Sequence, residues 1–280
     1  MSNTMEIVAD GHGFVEGIRW QDGRVWYSDF GRRRVYSLKP GEVAREEAWV
    51  PGQPSGLGFA PDGALLVVSV HEGHVLRFHE GHHLVVADIG ATYRGGLNDM
   101  LTSPEGRSYV SAFAPPLIGE ITPDVPADGG HIPLFMVDVD GSVSIVAEGL
   151  KIPNGMALSA DGGTLFVAET MACRILAFPV LQGGQLGEPR VHADLGTRSP
   201  DGISIDRQGR LWVASPFSSE FVRLDSDGTV EKVVEAPGYW AVTCAVGASD
   251  DELWCAIVET TVDDYKQGHA KGAIALWRDA

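Results

Sequence analysis

Pro200-Asp201-Gly202-Ile203-Ser204-Ile205-Asp206 is an alternating apolar run that opens on a polar residue and a glycine. A short turn leads to a second run at 210–215, centred on Leu211-Trp212-Val213. Third and fourth runs follow at 221–224 and 230–235. Four short runs with period-two alternation, separated by polar turns, describe one four-stranded antiparallel unit. The same unit recurs along the chain. Its second runs are Val25-Trp26-Tyr27, Leu65-Leu66-Val67, Ser108-Tyr109-Val110, Leu165-Phe166-Val167, Leu211-Trp212-Val213 and Leu253-Trp254-Cys255. Their centres lie 40, 43, 57, 46 and 42 residues apart. Short strands repeating at about 40 residues predict an all-β, six-bladed β-propeller.

Outer strands are expected at 47–50, 84–88, 144–148, 190–194 and 230–235, five for six blades. The last blade stops at its third strand, near 273–277, and a strand at 6–9 precedes the first blade. The N-terminal strand is therefore expected to pair with the last blade and close the ring, which removes two exposed sheet edges. Asp22-Gly23, Asp62-Gly63, Asp161-Gly162 and Asp227-Gly228 sit between apolar runs, where Asp-Gly suits the positive φ angles of hairpin turns. The reading is a single domain over 1–280.

The 57-residue interval holds an insertion at about 114–133, with prolines at 115, 116, 123, 126 and 133. The last blade carries a long loop at 260–271. Both fall on the face where the inner strands begin, and the insertion reads as a lid over a pocket.

Composition sets limits. The chain has 280 residues, 44% hydrophobic and 21% charged, and a net charge of -17. That balance argues against nucleic acid or an anionic membrane surface as partner. The N-terminus lacks a basic and apolar leader, no stretch approaches a membrane span, and Cys173, Cys244 and Cys255 show no framework spacing. A cytoplasmic protein with small buried thiols is the expectation.

The first residues of the inner strands converge on the propeller axis: Glu16, Ser55, Asn98, Asn154, Asp201 and, in the sixth blade, Val242 or its neighbour. Two carboxylates and two amide oxygens make a set for a hard cation, with water filling the remaining positions. Polar residues before glycine are also ordinary turn formers; four at equivalent places in a ring need partners, and a cation supplies them. His71-Glu72-Gly73-His74 and His79-Glu80-Gly81-His82-His83 lack zinc-site spacing and read as surface histidines. Asp138-Val139-Asp140-Gly141 and Asp225-Ser226-Asp227-Gly228 start like a calcium loop but do not continue as one, and read as turns.

Glu16-Gly17-Ile18-Arg19-Trp20, Leu97-Asn98-Asp99, Pro153-Asn154-Gly155-Met156-Ala157-Leu158-Ser159 and Pro200-Asp201-Gly202-Ile203-Ser204-Ile205-Asp206 resemble the motifs of the senescence-marker-protein/gluconolactonase family, which includes regucalcin, sugar lactonases and, more distantly, diisopropyl fluorophosphatase. The resemblance covers almost the whole chain. It implies a catalytic divalent metal, calcium first with magnesium, manganese or zinc as alternatives. Its ligands would be Glu16, Asn154 and Asp201, with Asn98 binding metal or substrate. It further implies hydrolysis of a lactone, with Asp201 as general base or nucleophile. Sugar lactonases of that family carry an Arg two residues before the Asn; here the position is Gly96, with Arg94 two residues further back. Tyr93, Phe113, Met171, Phe217 and Trp240 near the expected mouth hint at a less polar substrate. Phosphotriester or other ester hydrolysis, and a non-catalytic calcium- or ligand-binding propeller, are the alternatives.

Overall fold

Six four-stranded antiparallel sheets follow one another in a computed structural model that describes residues 5–114 and 131–279. The innermost strands are Val15–Gln21, Pro54–Phe59, Leu97–Thr102, Pro153–Leu158, Ile203–Ile205 and Trp240–Val246. In five sheets the strands run outward in chain order. The sixth is completed from both termini: Trp240–Val246, Glu252–Glu259 and Lys271–Arg278 are joined at the outside by Glu6–His12. The seam pairs Glu6 with Leu276, Ile7 with Ala275 and His12 with Gly272. The ring therefore closes as the repeat required.

The apolar core lies between blades. Trp212 and Phe221 of the fifth blade bury against Cys244, Cys255 and Trp277 of the sixth, with the Trp212 and Trp277 rings 5.4 Å apart. Val15, Tyr27 and Leu38 of the first blade bury against Val242, Trp254 and Ile274 of the sixth. Cys244 and Cys255 face each other across the strand pair, both buried and both free thiols.

Of the four Asp-Gly turns, only Asp22-Gly23 has positive φ at both residues, 52° and 72°. In the others the glycine alone is left-handed. Gly63 donates to Ala60 and Ala60 to Ala64; Gly228 donates to Asp225 and Asp225 to Thr229. This is a type I turn closed by a glycine bulge, in which Asp keeps ordinary φ. Asp225 Oδ1 accepts from the backbone of Asp227 and Thr229, so this acidic run is a turn. The 114–133 insertion is shorter than expected at its far end, because the next strand begins at Ile132 and takes in Pro133 beside a register irregularity. The expected lid falls chiefly on residues 115–130, which lie outside the described residues.

Glycine decides how closely the blades meet at the axis. A Cβ on Gly56 would lie 2.1 Å from the Met100 nitrogen of the next blade. One on Gly155 would lie 2.6 Å from the Asp201 carbonyl oxygen, and one on Gly202 would lie 2.3 Å from Thr243 Cβ. None of these three has a positive φ, so they serve close approach rather than a turn.

Gly56→Ala and Gly202→Ala should each destabilise by about 2–4 kcal/mol, as overpacking at a rigid contact does. Gly187→Ala, whose Cβ would meet Pro179 at an ordinary 3.4 Å, should stay within about 0.5 kcal/mol of the parent. Urea unfolding midpoints read the difference; equal effects at all three positions would refute the close-approach account.

Candidate active site at the channel mouth

The inner strands do not enter the ring straight. Register slips between Glu16 and Arg19, Pro54 and Leu57, Leu97 and Met100, Pro153 and Met156, and Ala241 and Thr243. Each slip lies at or beside the first polar residue of its strand. A bulge of this kind bends the strand and re-aims a side chain. In the fifth blade the regular strand starts only at Ile203; Asp201 is held by its own N–H donating to Ala214 O at 2.9 Å. Gly155 donates to Asp201 O and Gly202 to Val242 O, so Val242 is the sixth-blade equivalent. Its apolar side chain is buried and brings no ligand atom.

The two carboxylates of this ring are electrostatically coupled. Burial pushes the Glu16 carboxyl well above its ordinary range; the Asp201 charge adds to this, the Ser55 hydroxyl partly offsets it, and Asp99 adds a smaller push. Burial and then Asp99 push Asp201 up to about 8, against a hydrogen bond from Asn154. Both side chains keep a narrow solvent-facing surface although protein surrounds them, as expected on the floor of a concave mouth. Asn154 also donates through Nδ2 to Thr170 Oγ1 at 3.3 Å, and Thr170 Oγ1 donates to Pro200 O at 2.7 Å. That chain ties the fourth-blade amide to the segment carrying Asp201. Asn98 is buried and its Nδ2 has no partner among the described residues; Thr243 Oγ1 is likewise unpaired there.

Asp99 and Arg19 were not assigned roles from sequence. Asp99 occupies the place that glycine holds after Glu16, Ser55, Asn154 and Asp201. Its carboxylate meets Arg19 Nη2 at 2.7 Å, an ion pair between residues 80 apart in sequence, and the same guanidinium also donates to Met100 O. Gly56 and Gly58 of the intervening blade have no side chains to obstruct it. Arg19 and Cys244 then line a cavity of about 500 Å³ with Met156, Ser204 and Asp206. Another groove of about 590 Å³, between Ile7, Val234, Tyr239 and Trp277, runs along outer strand edges and contains neither Glu16 nor Asp201.

The loop at 260–271 does reach the mouth. It holds the one α-helix among the described residues, α1 (Val262–Lys266). Thr261 caps it by accepting from Asp264 N at 3.1 Å. Tyr265 of α1 lies near enough to Glu16 and Asp201 that, after burial itself, their charges raise its phenol further. Its ring packs on Phe14 at 4.9 Å and on Trp240 at 5.5 Å. Tyr265 was missed because its only sequence signal is membership of a long loop.

The expected substrate contacts fall into three groups. Trp240 stands beside Tyr265 and meets Phe217 at 5.2 Å. Tyr93 instead packs on Phe135 and donates its hydroxyl to Phe113 O at 2.5 Å; Phe113 packs on the same core. Arg94 and Met171 are exposed, and neither side chain makes a hydrogen bond or ion pair among the described residues. Gly96 has φ 75°, a left-handed conformation in which Arg would be strained. The histidines of the second blade lie on its outer strands and loop, where His74 meets Asp88 at 3.5 Å.

Among the described residues no three Asp, Glu, His or Cys side chains form a metal cage. The donor set at the mouth is two carboxylates with amides. It fits a hard cation that takes oxygen ligands and retains water. Two buried acids with no ion-pair partner among the described residues are what such an ion would relieve.

Comparisons with known proteins agree with this architecture. A pentonolactonase of Haloferax volcanii is 26% identical over 271 residues, 92% of this chain and 88% of the relative. A gluconolactonase structure from Xanthomonas campestris superposes with a TM-score of 0.79 at 22% identity, covering 97% of this chain and 89% of the other. The calcium-binding protein regucalcin of Agrobacterium tumefaciens gives 0.75 at 19% identity, covering 100% and 98%. The family described as the SMP-30/Gluconolactonase/LRE-like region matches residues 14–258. By that match, which spans most of the ring and contains all four polar residues of the mouth, the chain belongs to the SMP-30/gluconolactonase family.

Proposed function

We propose that this protein is a divalent-cation-dependent hydrolase that opens a lactone ring. The observation that carries the reading is the Glu16–Asp201 pair, two buried carboxylates at the channel mouth with no basic partner among the described residues. The pentonolactonase similarity over nearly the whole chain supports the reaction class, and the regucalcin likeness accords with calcium.

Glu16, Asp201 and the Asn154 oxygen would hold the ion, with Asn98 beside it. When bound, such a cation supplies the positive charge that polarises a carbonyl. The unpaired Asn98 Nδ2 donates to the oxygen that gains charge as the carbonyl carbon becomes tetrahedral. Asp201, fixed by Asn154, accepts a proton from the attacking water. The water oxygen bonds to the carbonyl carbon, the bond from that carbon to the ring oxygen breaks, and the ring oxygen leaves as an alcohol after taking up a proton.

Asp201→Asn should lower kcat by roughly a hundred- to ten-thousand-fold on any lactone substrate while leaving far-ultraviolet circular dichroism unchanged. Asn98→Ala should cost roughly a hundred-fold in kcat with KM little altered. Turnover that survives both changes, or that a chelator does not affect, would remove the mechanism.

The acid pair also gives a stability test. Its protonated forms favour the fold, a contribution complete below the ordinary Asp value of 3.8 and lost as pH rises through about 8. The melting temperature of chelator-treated protein should therefore fall between about pH 4 and 8. Asp201→Asn should flatten that fall and raise the midpoint at pH 8, by about 2–4 °C per kcal/mol of repulsion relieved. Added calcium should stabilise the parent and not the variant. A variant less stable than the chelated parent at pH 8 contradicts the assignment.

A further inference from the structure

Four aromatic rings form a continuous arc along one side of the mouth. Phe14 precedes the first inner strand, Tyr265 projects from α1, Trp240 opens the sixth inner strand, and Phe217 lies in the 3-10 turn Pro216–Ser218 after the fifth blade's second strand. Neighbouring centroids are 4.9, 5.5 and 5.2 Å apart. The arc passes the carboxylates at its second ring, since Tyr265 senses both Glu16 and Asp201. It ends in the open, since Phe217 is 62% exposed.

Packing between blades does not account for the outer half of this arc. Residues that only pack are buried, as Trp212, Trp254 and Trp277 are. Phe217 is not, and Trp240 is buried only in part. The loop bearing Tyr265 is also well constructed. Beyond the Thr261 cap, Tyr265 N donates to Thr261 O at 2.8 Å, and Thr260 Oγ1 donates to His269 O at 2.9 Å. A phenol ring is thus held against a charged site, where an exposed apolar wall serves a molecule that comes to that site. Such a wall offers a hydroxylated ring few polar partners.

The geometry points to a substrate whose carbonyl lies at Glu16 and Asp201 while an alkyl or aryl substituent lies along Phe14, Tyr265, Trp240 and Phe217: a lactone with an apolar side chain, not a polyhydroxylated one. This rests on the hydrolytic reading above and names its substrate class. Each buried methylene is worth roughly a four-fold gain in kcat/KM.

Three probes test it with calcium-loaded full-length protein: δ-valerolactone, δ-decalactone and glucono-δ-lactone. δ-Decalactone, with about three carbons of its pentyl chain buried on the wall, should exceed δ-valerolactone by on the order of a hundred-fold in kcat/KM, and glucono-δ-lactone should not exceed δ-valerolactone. Phe217→Ala, at an exposed position that the fold does not need, and Trp240→Ala should each weaken δ-decalactone at least ten-fold more than δ-valerolactone, chiefly through KM. Leu84→Ala, on the exposed outer edge of the second blade, should change no rate. A preference for glucono-δ-lactone, or equal losses on both unhydroxylated lactones, overturns the substrate class and leaves the hydrolase standing. No turnover of any of the three overturns both.

Discussion

The distance between neighbouring inner strands at the axis is the constraint on which the rest of the structure depends. Glycine after Glu16, Ser55, Asn154 and Asp201 lets each strand press against the next, within 2.0–2.6 Å of where a Cβ would stand. Gly17 shows this most directly, since its Cβ would lie 2.3 Å from Ser55 O and its φ is +59°. Without that approach the ring would be wider, and Glu16 and Asp201, held by the first and fifth blades on either side of the sixth, would not sense each other. Close packing of backbone is therefore what converts residues 185 positions apart into one electrostatic unit.

That unit works against the fold. Two buried acids that repel each other contribute nothing to stability while ionised, and the third nearby carboxylate, Asp99, adds to the repulsion on both. Arg19 meets Asp99 alone, at 2.7 Å. The guanidinium thus lines the cavity below the mouth and supplies one positive charge there, and among the described residues Glu16 and Asp201 have no ion-pair partner of their own. Local arrangements that cost stability while the surrounding scaffold is well packed are the kind found at sites of chemistry.

The propeller was legible because its signal is repeated. Six aromatic or aliphatic centres such as Trp26, Tyr109 and Trp212 recur at near-constant spacing, and the unpaired strand at 6–9 fitted the blade left short at the C-terminus. The polar first residues were legible for the same reason, as equivalent places in a ring. Interactions without a repeat were not. Arg19 and Asp99 stood inside the family-like motifs, yet their pairing skips a whole blade. Tyr93 and Phe113 are expected at the mouth from their chain positions, and which way their polar groups turn is not. The hydroxyl of Tyr93 is instead spent on Phe113 O, a contact for which Gly95 must lack a side chain, since its Cβ would lie 2.0 Å from that oxygen. Short-range spacing carries no record of which way such side chains turn.

The closing seam links ring stability to the aromatic wall. Glu6–His12 pairs with Lys271–Arg278, and His12 is set opposite Gly272. Phe14 follows that strand by two residues, while Tyr265 precedes its partner by six. Pairing the termini therefore brings Phe14 and Tyr265 together as a consequence of closure. Gly272 lies so near the first blade that a Cβ there would fall 2.4 Å from Gly13 O, which leaves the seam little room to slip. A register shift of one residue would turn every seam side chain to the opposite face. It would also draw Phe14 away from Tyr265, and with it the ring that borders Glu16 and Asp201. The same hydrogen-bonded strands that keep the propeller shut thus fix the geometry of the mouth.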